Sequence, residues 1–240
     1  LRWAFLAAAL VGGFAPFLYS EWKPLVALGL LLAGWIVFSA ALNFIERVQA
    51  TRAGSSFLDT VRRQPRSFYG MHLAHVGVAV FIVGVTVVSA YQLEKDVRME
   101  PGDTVEVAGY SFKFNGVTTS QGPNYRAMIG ELALSRNGQP LRKLYPEKRA
   151  YVSSAMPMTE AAIDSGLWRD VYVSLGEAID RDNPAGAWAV RVYYKPLVDW
   201  IWGGCILMAL GGVVALSDRR YRRRASASGA PTDPVLPQKA

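Results

Sequence analysis

Four long apolar runs constrain this chain more than any other feature of its sequence. Each is nearly free of charge and close to the roughly 20 residues that a helix needs to cross a bilayer. A helix satisfies its own backbone hydrogen bonds, so such runs are typical of membrane spans. We predict a polytopic α-helical membrane protein with four transmembrane helices, at Trp3–Tyr19, Pro24–Ile45, Tyr69–Tyr91 and Leu197–Leu216.

A polar region, Gln92–Pro196, separates the third run from the fourth. Asn137-Gly138 and Ala108-Gly109 lie between segments of alternating polarity and predict tight hairpin turns. Thr159–Ile163 is compatible with a helical turn. We predict a mainly antiparallel β extramembrane domain, either a small sheet or a partly closed barrel. Its expected strands are Thr104–Val107, Tyr110–Phe114, Met128–Ser135, Leu141–Tyr145, Asp170–Leu175 and Ala187–Tyr194.

The net charge of +7 is concentrated beside the ends of the predicted helices. Gln92–Pro196 is neutral, with 13 basic and 13 acidic residues, so the charge does not indicate a nucleic-acid partner. Basic residues near membrane ends favour the cytoplasmic side, which leaves Gln92–Pro196 on the outer side. The two basic clusters are Arg47, Arg52, Arg62, Arg63 and Arg66, and Arg219, Arg220, Arg222, Arg223 and Arg224.

These features divide the chain into six segments. In the basic loop, Phe57, Leu58 and Val61 are compatible with a short interfacial helix ended by Pro65, and equally with a solvated basic loop. Because the first residue is Leu1, we expect the chain to be a piece of a longer protein. The segments are a transmembrane hairpin (1–47), a cytoplasmic basic loop (48–68), a transmembrane helix (69–91), an outer β domain (92–196), a transmembrane helix (197–217) and a basic, disordered cytoplasmic end (218–240).

Both histidines of the chain, His72 and His75, lie in the third apolar run. An ionisable side chain within lipid is costly and indicates a functional position. His75 is compatible with a packed imidazole bonded to a neighbouring helix, a haem ligand, a proton relay or a metal ligand. A zinc site needs about four nitrogen or sulfur ligands. With two histidines and the single Cys205, a metal site within this chain is not expected.

A stripe of small residues runs along the same helix. At 100° per residue, Gly70, Gly77 and Gly84 fall on one face, with Ala74 close to them, whereas His75 lies about 140° away. Small residues allow close approach of a second helix. If haem binds here, His72 and His75 cannot both be axial ligands, because they lie on one helical turn and axial ligands occupy opposite haem faces. The second axial ligand would then come from outside this chain.

Many short segments of the sequence match those of one known family in the same order. They are Tyr69-Gly70-Met71, Ala74-His75-Val76-Gly77, a turn at Glu94–Arg98, PGDTVEVAGYSF, GPNYRA, LYPEKRAY, MPMTEAAID, LWRDVYVSLGE, WAVRVYYKPLVDWIWGG and DRRYR. Through these segments, everything except the tail resembles the C-terminal part of the CcmF/NrfE family, the large membrane subunits of the system I cytochrome c maturation haem lyase.

The resemblance implies cytochrome c-type biogenesis in the inner membrane, with residues 92–196 in the periplasm. Its members attach haem to apocytochrome c on the periplasmic side, and a haem-carrying chaperone delivers the haem. They also hold a b-type haem between two transmembrane histidines. By its Ala-His-x-Gly context, His75 corresponds to the second of these and is the expected cofactor-binding residue and haem iron axial ligand; His72 is incidental.

The chain lacks parts that the family uses. The tryptophan-rich outer segment, two outer histidines and the first transmembrane histidine belong to the upstream part. We therefore expect the fragment alone to be inactive as a holocytochrome c synthase. Expected partners are the upstream part of the same protein, the haem chaperone, apocytochrome c, thiol-reducing maturation subunits and the lipid bilayer. Tyr193, Tyr194 and Lys195 are candidate contacts, or an ordinary strand-to-helix junction. Trp200 and Trp202 read as an interfacial aromatic belt.

Two other functions are compatible with the residues alone. One is a cofactor-free membrane scaffold or transporter fragment, in which His75 is packed or carries protons. The other is a subunit of a quinol-linked b-type cytochrome complex.

Overall fold

Three helices are long and apolar enough to cross a membrane in the part of the chain that the structure describes. The structure is a computed structural model that describes residues 1–18, 21–52, 54, 56–154, 156–180, 183 and 185–218. The predicted disordered tail and second arginine cluster lie, apart from Asp218, outside these residues. The chain forms two compact units. One comprises Leu1–Ala15, Ala27–Ile82 and the chain from Gly203; the other comprises Pro16–Val26 and Val83–Trp202.

The long helices are α2 (Pro24–Ala50), α4 (Arg66–Tyr91) and α5 (Val198–Leu216). With 27, 26 and 19 residues, each approaches or exceeds the roughly 30 Å hydrocarbon thickness. The first apolar run forms a 13-residue helix, α1 (Arg2–Phe14), followed by a short 3₁₀ turn. It falls short of the length of the other three. The predicted fourth span therefore stays a prediction.

The glycine stripe of α4 packs closely against another helix, as the sequence predicts, and this helix is α5. A Cβ atom at Gly70 would lie 2.4 Å from the Gly211 carbonyl oxygen, and one at Gly77 would lie 2.8 Å from that of Gly204. Gly84 approaches the backbone of Ile201 in the same way, at 2.8 Å from its nitrogen. Both helices supply glycines to the contact, so their backbones meet directly.

Helix α4 also packs against α2. The rings of Phe44 and Phe68 stack with centroids 5.3 Å apart, and the Arg47 guanidinium lies over the Phe68 ring. The short helix predicted in the basic loop is confirmed as α3 (Phe57–Arg62), and its position at the membrane interface stays a prediction. After α5, the Asp218 carboxylate accepts a hydrogen bond from the backbone N–H of Ser67, in the first turn of α4. A negative group there is stabilised by the helix dipole.

The described residues of the polar region form ten antiparallel strands. The two predicted hairpin turns are confirmed: Ala108-Gly109 and Asn137-Gly138 both have positive φ at their two central positions, as type I′ turns require. The strands are β1 (Leu93–Met99), β2 (Thr104–Val107), β3 (Tyr110–Gln121), β4 (Tyr125–Arg136), β5 (Gln139–Leu144), β6 (Glu147–Tyr151), β7 (Met158–Glu160), β8 (Ala162–Asp164), β9 (Arg169–Ala178) and β10 (Trp188–Pro196).

The strands form two sheets that share one core. One sheet has the order β1-β10-β9-β8, and the other has the order β2-β3-β4-β6-β7 with β5 also paired to β4. Phe112 and Leu132 from the second sheet and Val173 and Trp188 from the first are almost fully buried in the shared cluster. The domain is therefore a sandwich of two sheets, neither the single sheet nor the partly closed barrel that the sequence left open.

Two local predictions were wrong. Glu94–Arg98, expected to be a turn, lies within the edge strand β1, where pairing with β10 outweighs the unfavourable composition of four charged residues. Thr159–Ile163, expected to be a helical turn, contributes to the short strands β7 and β8. Strand β7 pairs with β6 in one sheet and β8 with β9 in the other. Long-range pairing overrides local preference in both cases.

Candidate functional site

His75 lies on an exposed face of α4 with one ring nitrogen held and the other open. Its Nδ1 lies 2.7 Å from the Met71 carbonyl oxygen, one helical turn earlier. A carbonyl oxygen only accepts hydrogen bonds, so Nδ1 carries the proton and Nε2 bears the lone pair of the neutral ring. Among the described residues, no group hydrogen-bonds to Nε2. The side chain therefore presents an unprotonated nitrogen away from its own helix.

His72, one turn closer to the start of α4, has a different environment. Its Nδ1 lies 2.8 Å from the Phe68 carbonyl oxygen and its Nε2 lies 3.1 Å from the Ala40 carbonyl oxygen on α2. Its ring packs between Phe44 and Phe68, with centroids 5.4 and 4.3 Å away. Both nitrogens face backbone acceptors, so His72 joins two helices and has no nitrogen free for a ligand.

The two histidines thus differ in their capacity to hold a haem iron. Iron coordination uses one unprotonated imidazole nitrogen, while a hydrogen bond from the other nitrogen orients the ring. His75 fits this requirement through its bond to Met71, and His72 does not. In the part of the chain that the structure describes, no three His, Cys, Asp or Glu side chains converge into a metal-binding cluster.

Tyr193, Tyr194 and Lys195 are engaged within the β-sandwich unit. The Lys195 ammonium lies 4.9 Å from the Tyr172 ring centroid and 5.2 Å from that of Tyr193. The pKa of Tyr194 is raised mainly by burial and, second, by the neighbouring Tyr110. These contacts are those of an ordinary strand-to-helix junction, and partner contact by the three residues stays a prediction.

The first turn of α5 is tied to the turn between β8 and β9. The Trp200 indole N–H donates to the Leu167 carbonyl at 3.0 Å, and the Leu197 N–H donates to the Trp168 carbonyl at 3.1 Å. The rings of Trp168 and Trp200 lie 5.7 Å apart. Leu167 and Trp168 are both largely exposed. The aromatic group predicted around Trp200 and Trp202 therefore also includes a turn of the sandwich, which the sequence did not reveal.

At the opposite ends of the strands, a groove of about 830 Å³ opens between the two sheets. Strands β3, β4 and β6 line it on one side and β9 and β10 on the other. Lys148 reaches across to bond the Glu177 carboxylate and, at 3.1 Å, the Gly176 carbonyl. No sequence motif marks the groove, because its lining residues are spread over five strands and one loop.

The sequence was compared with known families and proteins. Residues 90–196 match a family model described as the CcmF C-terminal β-sandwich. The cytochrome c-type biogenesis protein CcmF of Pseudomonas aeruginosa is 42% identical over 90% of this chain and 32% of its own length. The protein of the same name from Escherichia coli K12 is 42% identical over 93% of this chain and 32% of its own length. The chain thus spans about a third of the length of these relatives.

A solved structure, the cytochrome c haem lyase CcmF, has the same fold. It superposes with a TM-score of 0.71 at 20% sequence identity, covering 90% of this chain and 34% of that one. The match includes both helices and sandwich, since neither alone amounts to that share of the chain. With the sequence relatives at over 40% identity, the chain belongs to the CcmF family and corresponds to its C-terminal part.

Proposed function

We propose that this chain is the C-terminal part of a membrane haem lyase of cytochrome c-type biogenesis. The names of its relatives support this function. In this proposal it crosses the inner membrane four times, and the β sandwich lies in the periplasm, where haem is attached to apocytochrome c. The arginines between α2 and α4, Arg52, Arg62 and Arg63 among them, support a cytoplasmic position for that loop.

His75 would hold the iron of a transmembrane b-type haem, and a histidine outside this chain would supply a second ligand. The observation that carries this step is the open Nε2 of His75, opposite a bonded Nδ1. The Met71 carbonyl fixes the tautomer and the ring direction before the ligand binds. His75 and Met71 are both exposed on the helix surface in this chain, which leaves that face available to a second helix. When bound, the haem supplies one-electron redox chemistry.

The remaining parts of the reaction belong to partners. These are the upstream part of the same protein, a haem-carrying chaperone, apocytochrome c and thiol-reducing maturation subunits. The contribution of this chain is one iron ligand, the helix pair that carries it and the outer domain.

Visible spectra of the purified full-length protein test the His75 assignment. His75→Ala should abolish the Soret and α bands, because it removes the open nitrogen, and added imidazole should restore them in part. His72→Ala is the matched control: it lies one turn away and should keep the bands while lowering stability by about 1–2 kcal/mol through the lost hydrogen bond and ring packing.

Undiminished bands in His75→Ala would refute the ligand assignment, and absence of the bands from the wild-type protein would favour the cofactor-free scaffold. Loss of the bands in His72→Ala alone would mean that the wrong histidine was chosen. If added imidazole does not restore the bands and His75→Ala and His72→Ala lose the same amount of stability, His75 supports the fold and does not bind the iron.

A further inference from the structure

Strand β3 extends far beyond its neighbour on one side. Strand β2 pairs only with Tyr110–Lys113. The next residue, Phe114, exchanges backbone hydrogen bonds of 2.7 and 2.8 Å with Gly102 and Asp103. After a bulge at Asn115, Gly116 to Gln121 pair with β4 on the other side, but no strand among the described residues pairs with this edge. About half of β3 is therefore an open sheet edge.

The hydrogen bonds of the β3–β4 hairpin show which backbone groups face that edge. The Gly122 N–H donates to the Tyr125 carbonyl at 2.9 Å, so these two residues form a hydrogen-bonded pair. Antiparallel pairs alternate between hydrogen-bonded and non-hydrogen-bonded. The N–H and C=O groups of Val117, Thr119 and Gln121 consequently point to the open side. The donation of the Gly130 N–H to Pro146, away from β3, agrees with this alternation because Gly130 lies opposite Val117.

Beyond the bulge at Asn115, the open edge lacks the features that usually prevent strand pairing. Exposed edges are commonly protected by charged side chains, proline or short length. Edge strand β1 carries four charged residues in seven, and edge strands β7 and β8 have three residues each. By contrast, Val117–Gln121 is uncharged and rich in β-branched residues, which favour strand formation. Thr118–Gln121 are all exposed.

The groove between the sheets begins beside this edge. Thr119 and Gln121 lie opposite Met128 and Arg126 on β4, and all four line the groove. Directly opposed residues share one face of a sheet. A strand added to β3 would therefore direct alternate side chains into the groove, toward exposed Met128, whose flexible side chain adapts to different partners. Arg126 is exposed and has no ion pair with any described residue.

We propose that the open edge of β3 binds an extended segment of unfolded, haem-free cytochrome polypeptide by strand addition. The choice of polypeptide rests on the proposed function; the mode of binding rests on the open edge. Backbone groups of Val117, Thr119 and Gln121 recognise the extended main chain, and the groove takes every second side chain. Recognition through the main chain suits a substrate that is bound before it folds.

The test uses variants of the full-length protein in detergent micelles. Thr119→Pro removes an outward N–H that the β3–β4 ladder does not use, so the hairpin stays paired. Thr119→Lys keeps that N–H and adds a charge at the groove. Thr118→Lys is the matched control, because its exposed side chain projects from the opposite face of β3. The probe is fluorescently labelled, haem-free cytochrome c with reduced cysteines, and the readouts are anisotropy and hydrogen exchange.

Both Thr119 variants should weaken binding tenfold or more, and Thr118→Lys less than threefold. In the wild type, the probe should slow amide exchange at residues 117–121. Unchanged binding in Thr119→Pro, or protection confined to other segments, would overturn the proposal. So would protection that rises with protein concentration without the probe, which would identify a second copy as the occupant.

The haem bands separate this proposal from the function on which it rests. Both Thr119 variants should retain them, since the edge is remote in sequence from His75. If His75→Ala also retains them while Thr119→Pro loses the probe, the ligand assignment fails and strand addition stands. The reverse result would retain the haem site and reject the edge.

Discussion

The contact between α4 and α5 allows one sharp prediction, because α5 contains adjacent glycines in opposite environments. A Cβ atom at Gly211 would lie 2.6 Å from the Ala74 nitrogen and 2.6 Å from the Gly70 carbonyl oxygen, whereas one at Gly212 meets nothing within 4 Å. Ordinary contact begins at about 3.4 Å. Gly211→Ala therefore requires the two helices to separate by several tenths of an ångström, since the obstructing atoms are backbone.

Gly211→Ala and Gly212→Ala should change the free energy of unfolding alike, except through this contact. Gly→Ala in a helix gains about 1 kcal/mol from propensity at either position. Overpacking costs about 1–3 kcal/mol and applies to Gly211→Ala alone. We expect Gly211→Ala to be less stable than Gly212→Ala by about 1–3 kcal/mol. Unfolding of the chain by SDS in mixed micelles, followed by circular dichroism, measures the difference.

A second glycine pair provides an internal repeat of the experiment. A Cβ atom at Gly204 would lie 2.6 Å from the Phe81 nitrogen, whereas one at Gly203 is unobstructed. Gly204→Ala and Gly203→Ala should differ in the same direction. If the two substitutions within each pair change the stability by the same amount, to within about 0.5 kcal/mol, the backbone contact is absent in the membrane protein and the packing argument fails.

Two further predictions concern the β sandwich. Ala108 occupies a left-handed turn position with φ of 52°, and Asn137 occupies the same position in the other turn. Ala108→Asn should raise the unfolding free energy by about 1 kcal/mol, and Asn137→Ala should lower it by about as much. A denaturant titration in which both substitutions shift the unfolding free energy in the same direction would contradict this. The hydrogen bond from Arg191 lowers the pKa of Asp96, so its stabilisation is present above the unfolded pKa of about 3.9 and is lost as pH falls through the folded value. Asp96→Asn should therefore lower the thermal midpoint at pH 7, the difference from the wild type should shrink as pH falls below about 3.9, and a pH-independent loss would refute the assignment.

Local signals predicted individual elements well where short-range physics dominates. The Asn-Gly and Ala-Gly turns were correctly placed because two positive φ angles are needed within two residues. Strand β1 was missed because its charged residues suit a solvated turn, and only pairing with β10 makes it a strand. The sandwich could not be distinguished from a barrel, since that choice depends on which distant strands share a core.

The histidine site was likewise predictable from the sequence only in part. Helical geometry separated His75 from the glycine stripe and excluded joint ligation of one haem by His72 and His75. It could not show that the Ala40 carbonyl occupies one nitrogen of His72, because that contact joins residues 32 positions apart. Likewise, the stripe predicted that α4 has a close neighbour but not which helix it is.

The sequence by itself determined the long apolar helices, the β domain between the third and fourth apolar runs, the packing face of α4 and the two candidate histidines. These follow from hydropathy, alternation and helical periodicity, which act over a few residues. Only the tertiary structure decided that α5 is the partner of α4, that His75 rather than His72 keeps an open nitrogen, and that β3 ends as an unprotected edge. Each of these depends on which distant backbone groups meet or remain unpaired, and no local pattern encodes that.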